Sequence, residues 1–163
     1  MQDAPVATAG VETVASFVGI LGFVGQAVNG LGKLTKFFHD VRKAPKRIEI
    51  LLRNIESLKG TLSEVEQRLA ILDKEQANPA PGQALPDVSV LQSHVKDCSN
   101  DINQWVSIAA KADPSSWNGV QAFFRRAKIA AGMSSSDEID DKILIHQRRV
   151  GISISVLGTR VHV

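Results

Sequence analysis

The residues able to do chemistry are scattered. His39, His94, His146 and His162 are scattered, and none has a full ligand set nearby. Cys98 is the single cysteine. It offers no pair for zinc and no internal disulfide, which suits a reducing compartment. Asp137, Glu138, Asp140 and Asp141 form an acidic run, but the run opens a helical pattern, where carboxylates suit the positive end of the helix dipole. We read it as a cap. No Gly-rich phosphate loop is present, no His-Glu-x-x-His, no Gly-x-Ser-x-Gly elbow and no nucleic-acid module signature. The expectation is a protein without catalytic, cofactor or metal residues and without a nucleic-acid partner, hence not an enzyme.

The remaining concentration of chemistry is electrostatic. Lys33, Lys36, Arg42, Lys43, Lys46 and Arg47 fall within residues 33–47, opposed only by Asp40. The whole chain carries a net charge of only +2, so the position of this cluster matters more than its total. It follows directly on residues 13–32, which contain no charge. A basic cluster beside an apolar helix attracts anionic lipid, at about 1 kcal/mol per charge near a surface. Lys33, Lys36, Arg42, Lys43, Lys46 and Arg47 are therefore headgroup candidates.

Residues 13–32 are long enough to cross a bilayer, and a secretory signal would require basic residues where Asp3 and Glu12 stand. On a helical wheel Val11, Val14, Val18, Leu21, Val24, Val28 and Leu31 form one broad apolar face, with Phe17, Ile20 and Phe23 on its flanks. These supply the insertion candidates Val14, Phe17, Val18, Ile20, Leu21, Phe23, Val24 and Val28. A second face of Ala15, Gly19, Gly22, Gln26 and Asn29, with Gly25 close by, is small enough for another backbone to approach; Ala15, Gly19, Gly22 and Gly25 are the packing candidates. Five glycines, at roughly 1 kcal/mol each relative to alanine, weaken this helix. It can serve as a buried bundle helix or as one that leaves the bundle for a membrane.

The rest of the chain must supply partners. Leu51, Ile55, Leu58, Leu62, Val65, Leu69 and Leu72 recur at alternating spacings of four and three, a heptad seam on one amphipathic helix about 40 Å long. Val88, Leu91, Val95, Cys98, Ile102, Trp105, Ala109 and Ala112 repeat the spacing, after a Pro-rich loop at 78–86 and a plausible N-cap at Asp87. This second seam is expected to pair antiparallel with the first, with the glycine-rich helix docked against the two. Trp117, Val120, Phe124, Ala127 and Ala131 give a short fourth stripe whose other side holds Phe123, Arg125, Arg126 and Lys128. Ser135 and Glu138 form a capping box before Ile139, Ile143, His146, Val150, Ile154, Leu157 and Val161. Val150, Ile152, Ile154 and Val156 also alternate as a strand would; the helical period extends from Ile139 to Val161 and is preferred. The expected fold is all-α, a single-domain bundle of about five helices at roughly 11–40, 45–76, 87–112, 117–131 and 136–161, with residues 1–10 a flexible lead-in.

The order of segments resembles the HeLo-like N-terminal domain of fungal STAND (NLR-type) proteins, related to HeLo and necroptosis-type four-helix executioner domains. Carrying the resemblance are the glycine-rich first helix, Ala44-Pro45-Lys46-Arg47-Ile48 leading into the segment from Leu51 to Leu62, Cys98-Ser99-Asn100-Asp101-Ile102, and the Trp-plus-basic segment before a last helix with His146-Gln147-Arg148-Arg149. The resemblance implies a membrane-associated, pore-forming effector of programmed cell death in fungal innate immunity and heterokaryon incompatibility. Such a domain is cytoplasmic, self-associates, relocates to anionic membrane lipids on activation, and adjoins a NACHT/NB-ARC-type nucleotide-binding domain or works with a partner receptor. Residues 11–32 would insert and 33–47 would bind lipid. Gln26, Asn29 and Glu12 make the first helix more polar than a committed span. The alternative is an adaptor or oligomerisation module in which that helix never leaves.

Overall fold

The computed structural model describes residues 4–41, 46–77, 87–130 and 138–161, with side-chain surroundings given for 17–41, 46–75, 87–130 and 139–157. The described residues form five helices and no strand: α1 (Ala4–His39), α2 (Lys46–Ala77), α3 (Ser89–Ala110), α4 (Trp117–Ala130) and α5 (Glu138–Val161). The all-α bundle is thus as the periodicities imply. The main boundary difference is at the start. α1 begins at Ala4 rather than near residue 11, so the expected lead-in is mostly helix. Pro5 falls in its first turn, where a missing N–H loses no intrahelical bond.

Four of the helices form a ring. α1 lies beside α3 and α2, while α5 lies beside α2 and α3; among the described residues the backbones of α2 and α3 are not neighbours, and the two helices face each other only across the core. Gly19 faces Gln92 and Gly30 faces Ile102, so α1 and α3 run parallel. Asp101 meets His146 while His94 meets Ser153, so α3 and α5 run antiparallel. Arg47 meets Asp140 and Ser57 meets Gln147, so α2 and α5 run parallel. α2 and α3 are therefore antiparallel, as expected, but sit on the diagonal. This corrects the expectation that they pair directly, with α1 docked on their seam. A heptad stripe dictates that a helix buries one side; it carries no record of which neighbour covers it.

The stripes themselves meet in one core. All seven seam residues of α2 are buried, as are Val88, Leu91, Val95, Cys98, Ile102, Trp105 and Ala109 along α3. α5 buries Ile139, Ile143, His146, Val150, Ile154 and Leu157. Ile152 and Val156 are 58% and 47% exposed. On a strand they would share a face with Val150 and Ile154; the helix turns them outward. The capping box at Ser135 lies outside the described residues.

α4 closes the end of the ring where α1 and α3 stop and α2 and α5 begin. Asp113 accepts hydrogen bonds from the Ser115 N–H (3.0 Å) and hydroxyl (2.6 Å), making the turn out of α3. The Gly119 N–H donates to Ser116 Oγ at the start of α4 (3.4 Å). A Cβ on Gly119 would collide with the Asp113 carbonyl oxygen, so this turn requires glycine. α4 buries Val120, Phe123 and Ala127, whereas Trp117 is 43% exposed. Of the expected stripe, Ala131 lies outside the described residues, Val120 and Ala127 are buried, and Phe124 packs half-buried against the core, while Phe123 takes the deeper place and Trp117 turns outward. The reason is the pair of rings at the end of α1: Phe37 and Phe38 lie 5.2 and 5.5 Å from the Phe123 ring, and Phe38 stacks at 5.9 Å on Phe124.

Candidate membrane-active helix and basic end

Along α1 the core side is Phe17, Ile20, Val24, Ala27, Leu31, Leu34, Phe37 and Phe38, with Val41 buried just beyond its end. Phe23 and Val28 pack half-buried at its margin. Val18 and Leu21 face outward, 66% and 41% exposed. The wheel places Val18 and Leu21 on the main apolar face with Phe17 and Ile20 on the flanks; the structure keeps Val24 and Leu31 of that face inside but buries Phe17 and Ile20 in place of Val18 and Leu21. A helix apolar nearly all round does not define one azimuth, and the tightest crossing decides it here. A Cβ on Gly30 would sit 2.5 Å from Ile102 Cγ2 and 3.4 Å from Val106 Cγ2, so α3 approaches α1 at a position where only glycine fits without a shift.

The small-residue face is correspondingly split. Gly19 meets α3 at an ordinary distance, 3.5 Å from Gln92 Nε2. A methyl group added to Gly22 or Gly25 would meet nothing within 4 Å, so neither packs against another helix among the described residues. The side chains of Val14 and Ala15 lie outside the described residues. Among the described side chains one hydrogen bond joins α1 to α3: the Ser99 hydroxyl, itself buried, donates to Gln26 Oε1 at 3.3 Å. Phe17–His39 is long and apolar enough to cross a membrane, and 39% of its most apolar window is buried in the bundle. Core helices share that property.

The basic candidates divide by role. Lys33 and Lys36 are exposed at the rim of a cavity of about 280 Å³ between the ends of α1 and α3, floored by Phe37, Val106 and Ala109. Lys46 is exposed. Arg47 is held within the protein instead: its guanidinium lies 4.1 Å over the Phe124 ring, with Nε 3.8 Å from Asp140 Oδ2. It ties α2 to α4 and α5. Arg42 and Lys43 lie outside the described residues.

One buried polar centre was not legible in the sequence. His146 is 2% exposed, and its Nε2 lies 2.7 Å from Asp101 Oδ2, with Lys142 Nζ 3.6 Å from the same oxygen. Burial by itself would raise the Asp101 carboxyl, but the hydrogen bond and charge of His146, with Lys142, outweigh it and hold the group below its ordinary 3.8. Because folding lowers this value, the stabilisation is complete above about pH 4 and is lost as pH falls through the folded value. Asp101→Asn should cost about 1–3 kcal/mol at pH 7. Its urea midpoint should converge on that of the native sequence in acid; a gap that stays constant from pH 7 to pH 3 would remove Asp101 as the source.

Ser153, His94 and Cys98 are engaged within the bundle. Ser153 Oγ donates to the Arg149 carbonyl (2.9 Å) and accepts from His94 Nδ1 (3.0 Å). Cys98 is fully buried, and burial, reinforced by Asp101 and Asp97, pushes its thiol up to about 12, leaving no thiolate to react at neutral pH. Among the described residues no group of three His, Cys, Asp or Glu could hold a metal. Comparison of the chain with protein-family models, curated proteins and solved structures finds no match to any of the three.

Proposed function

We propose that this domain is a membrane-targeting effector of the cell-death type, in which α1 leaves the bundle on oligomerisation and enters or disrupts a membrane. One observation carries the reading. α1 is apolar on both sides: Phe17, Ile20 and Val24 face the core, Val18 and Leu21 face water, and no charge interrupts residues 17–32. The outer pair would meet lipid in an inserted helix without any charge to bury. In the closed protein α3 and α2 cover the inner side. Clustering of several copies, together with attraction of Lys33, Lys36 and Lys46 to anionic lipid, shifts the balance toward insertion. The resemblance to HeLo-like domains supports the same activity, including cytoplasmic residence before activation and a nucleotide-binding STAND partner.

The test is leakage of anionic vesicles by the double variant Val18→Lys/Leu21→Lys. Both positions are exposed, so helicity and the urea midpoint should change little. Each lysine costs roughly 2.5–3.5 kcal/mol at the centre of an inserted helix, so leakage should fall more than tenfold. Leakage equal to that of the unsubstituted protein would overturn the proposal. A second reading, a helical adaptor with no membrane activity, is favoured by the α1–α3 pair being the most extensive in the bundle. Self-association with no leakage from any vesicle would select it.

A further inference from the structure

Charge is distributed unevenly along the bundle. Lys33, Lys36, Lys46, Lys111, Arg125 and Arg126 are all exposed at the α4 end. Asp40, Glu49, Asp113 and Asp141 at that end reduce the field without reversing it. Toward the other end, Glu64, Glu66, Asp73, Glu75, Asp87 and Asp97 outnumber Arg68, Lys74 and Lys96 on the surface of α2 and α3. A net charge of +2 thus conceals a dipole along the long axis, positive at α4. The same end carries two exposed apolar side chains on α4, Trp117 at 43% and Ile129 at 72%. Trp117, Gln121, Arg125 and Ile129 recur every four residues along the outer side of α4, while Val120, Phe123 and Ala127 hold its inner side in the core.

We propose that the outer face of α4 is the surface by which the closed bundle docks, end-on, onto an anionic membrane. A positive field steers the molecule and orients it. Arginines then meet the headgroups, and Trp117 with Ile129 enters the boundary between headgroup and acyl chain, where tryptophan is favoured. Arg47 stacked on Phe124, and the Phe37–Phe38–Phe123 cluster beneath, hold α4 rigidly to the long helices. Docking therefore presents the C-terminal end of α1 to the lipid. This surface rests on the membrane reading for its partner, but not on release of α1.

The experiment is co-sedimentation of the protein with phosphatidylcholine vesicles and with vesicles containing phosphatidylserine, at about 0.1 M salt, with leakage recorded in parallel. Arg125→Glu/Arg126→Glu is compared with Arg148→Glu/Arg149→Glu, an equal charge change at exposed positions midway along α5. The first pair should weaken binding to anionic vesicles at least ~10-fold and the second less than ~3-fold, with Trp117→Ala intermediate and neutral vesicles bound poorly throughout. Equal effects of the two arginine pairs, absence of binding to anionic vesicles, or equally tight α4-dependent binding to a single-stranded nucleic acid would overturn it. Binding without leakage keeps the docking face and removes α1 release. Leakage that survives Arg125→Glu/Arg126→Glu keeps release and removes the docking face.

Discussion

Replacing Trp105 with alanine should lower the stability of the bundle by about 3–5 kcal/mol, a large share of the roughly 5–15 kcal/mol that holds a domain folded. Trp105 is 1% exposed and is the bulkiest of the fully buried side chains. It lies on α3, the helix that adjoins α1, α4 and α5, and its removal would leave a large void in the core that these helices share. The urea midpoint should drop with little change in slope. Trp117→Ala supplies the contrast: at 43% exposure it should stay within about 0.5 kcal/mol of the native sequence. A loss below about 1 kcal/mol for Trp105→Ala would mean that α3 is not the centre of the core.

Where a helix has a single apolar stripe and charges elsewhere, the sequence is enough. Along α2, Arg53, Glu56, Lys59, Glu64, Glu66 and Arg68 exclude all but one azimuth, and each expected seam residue from Leu51 to Leu72 is buried. α1 lacks such exclusion. Over residues 17–25 its outer residues are Val18, Leu21, Gly22 and Gly25, so hydrophobicity cannot orient it there, and the deciding contact, Gly30 against Ile102, joins positions far apart in the chain. The deeper burial of Phe123 than Phe124 on α4 has the same origin, since the two are equally apolar and the rings of Phe37 and Phe38 set their places. The His146–Asp101 link was hidden for another reason. His146 falls on the α5 stripe, but its partner is a charged residue beside a seam position of α3, and pairing across the ring follows from topology. The candidate lipid-facing residues were legible as composition. That Arg47 is engaged by Phe124 and Asp140 while Lys33, Lys36 and Lys46 remain exposed required the fold.

Tethering α1 to α3 should abolish membrane activity and leave the fold unchanged. Gly19 and Gln92 face each other, with a Cβ on Gly19 3.5 Å from Gln92 Nε2, and both are half-buried at the surface of the α1–α3 contact. Gly19→Cys/Gln92→Cys, joined by a short cleavable thiol reagent, would lock the helices without forcing the narrow geometry of a direct disulfide. Cys98 can remain, because its buried, unionised thiol does not compete for the reagent. It then reports on the bundle. Withdrawing α1 strips Phe17, Ile20, Val24 and Leu31 from the core, at about 1.5–3 kcal/mol each, on the order of 10 kcal/mol in water. That is comparable to unfolding the domain, so Cys98 should stay protected in buffer, as should the closed state. A bilayer offers those side chains an equivalent apolar environment and removes most of the penalty. With anionic vesicles present, Cys98 labelling and leakage should therefore rise together, by tenfold or more. Tethering should return both to the vesicle-free level, and cleavage of the tether should restore both. Leakage that persists with the tether closed would show that the membrane is breached by a protein whose α1 has never left α3.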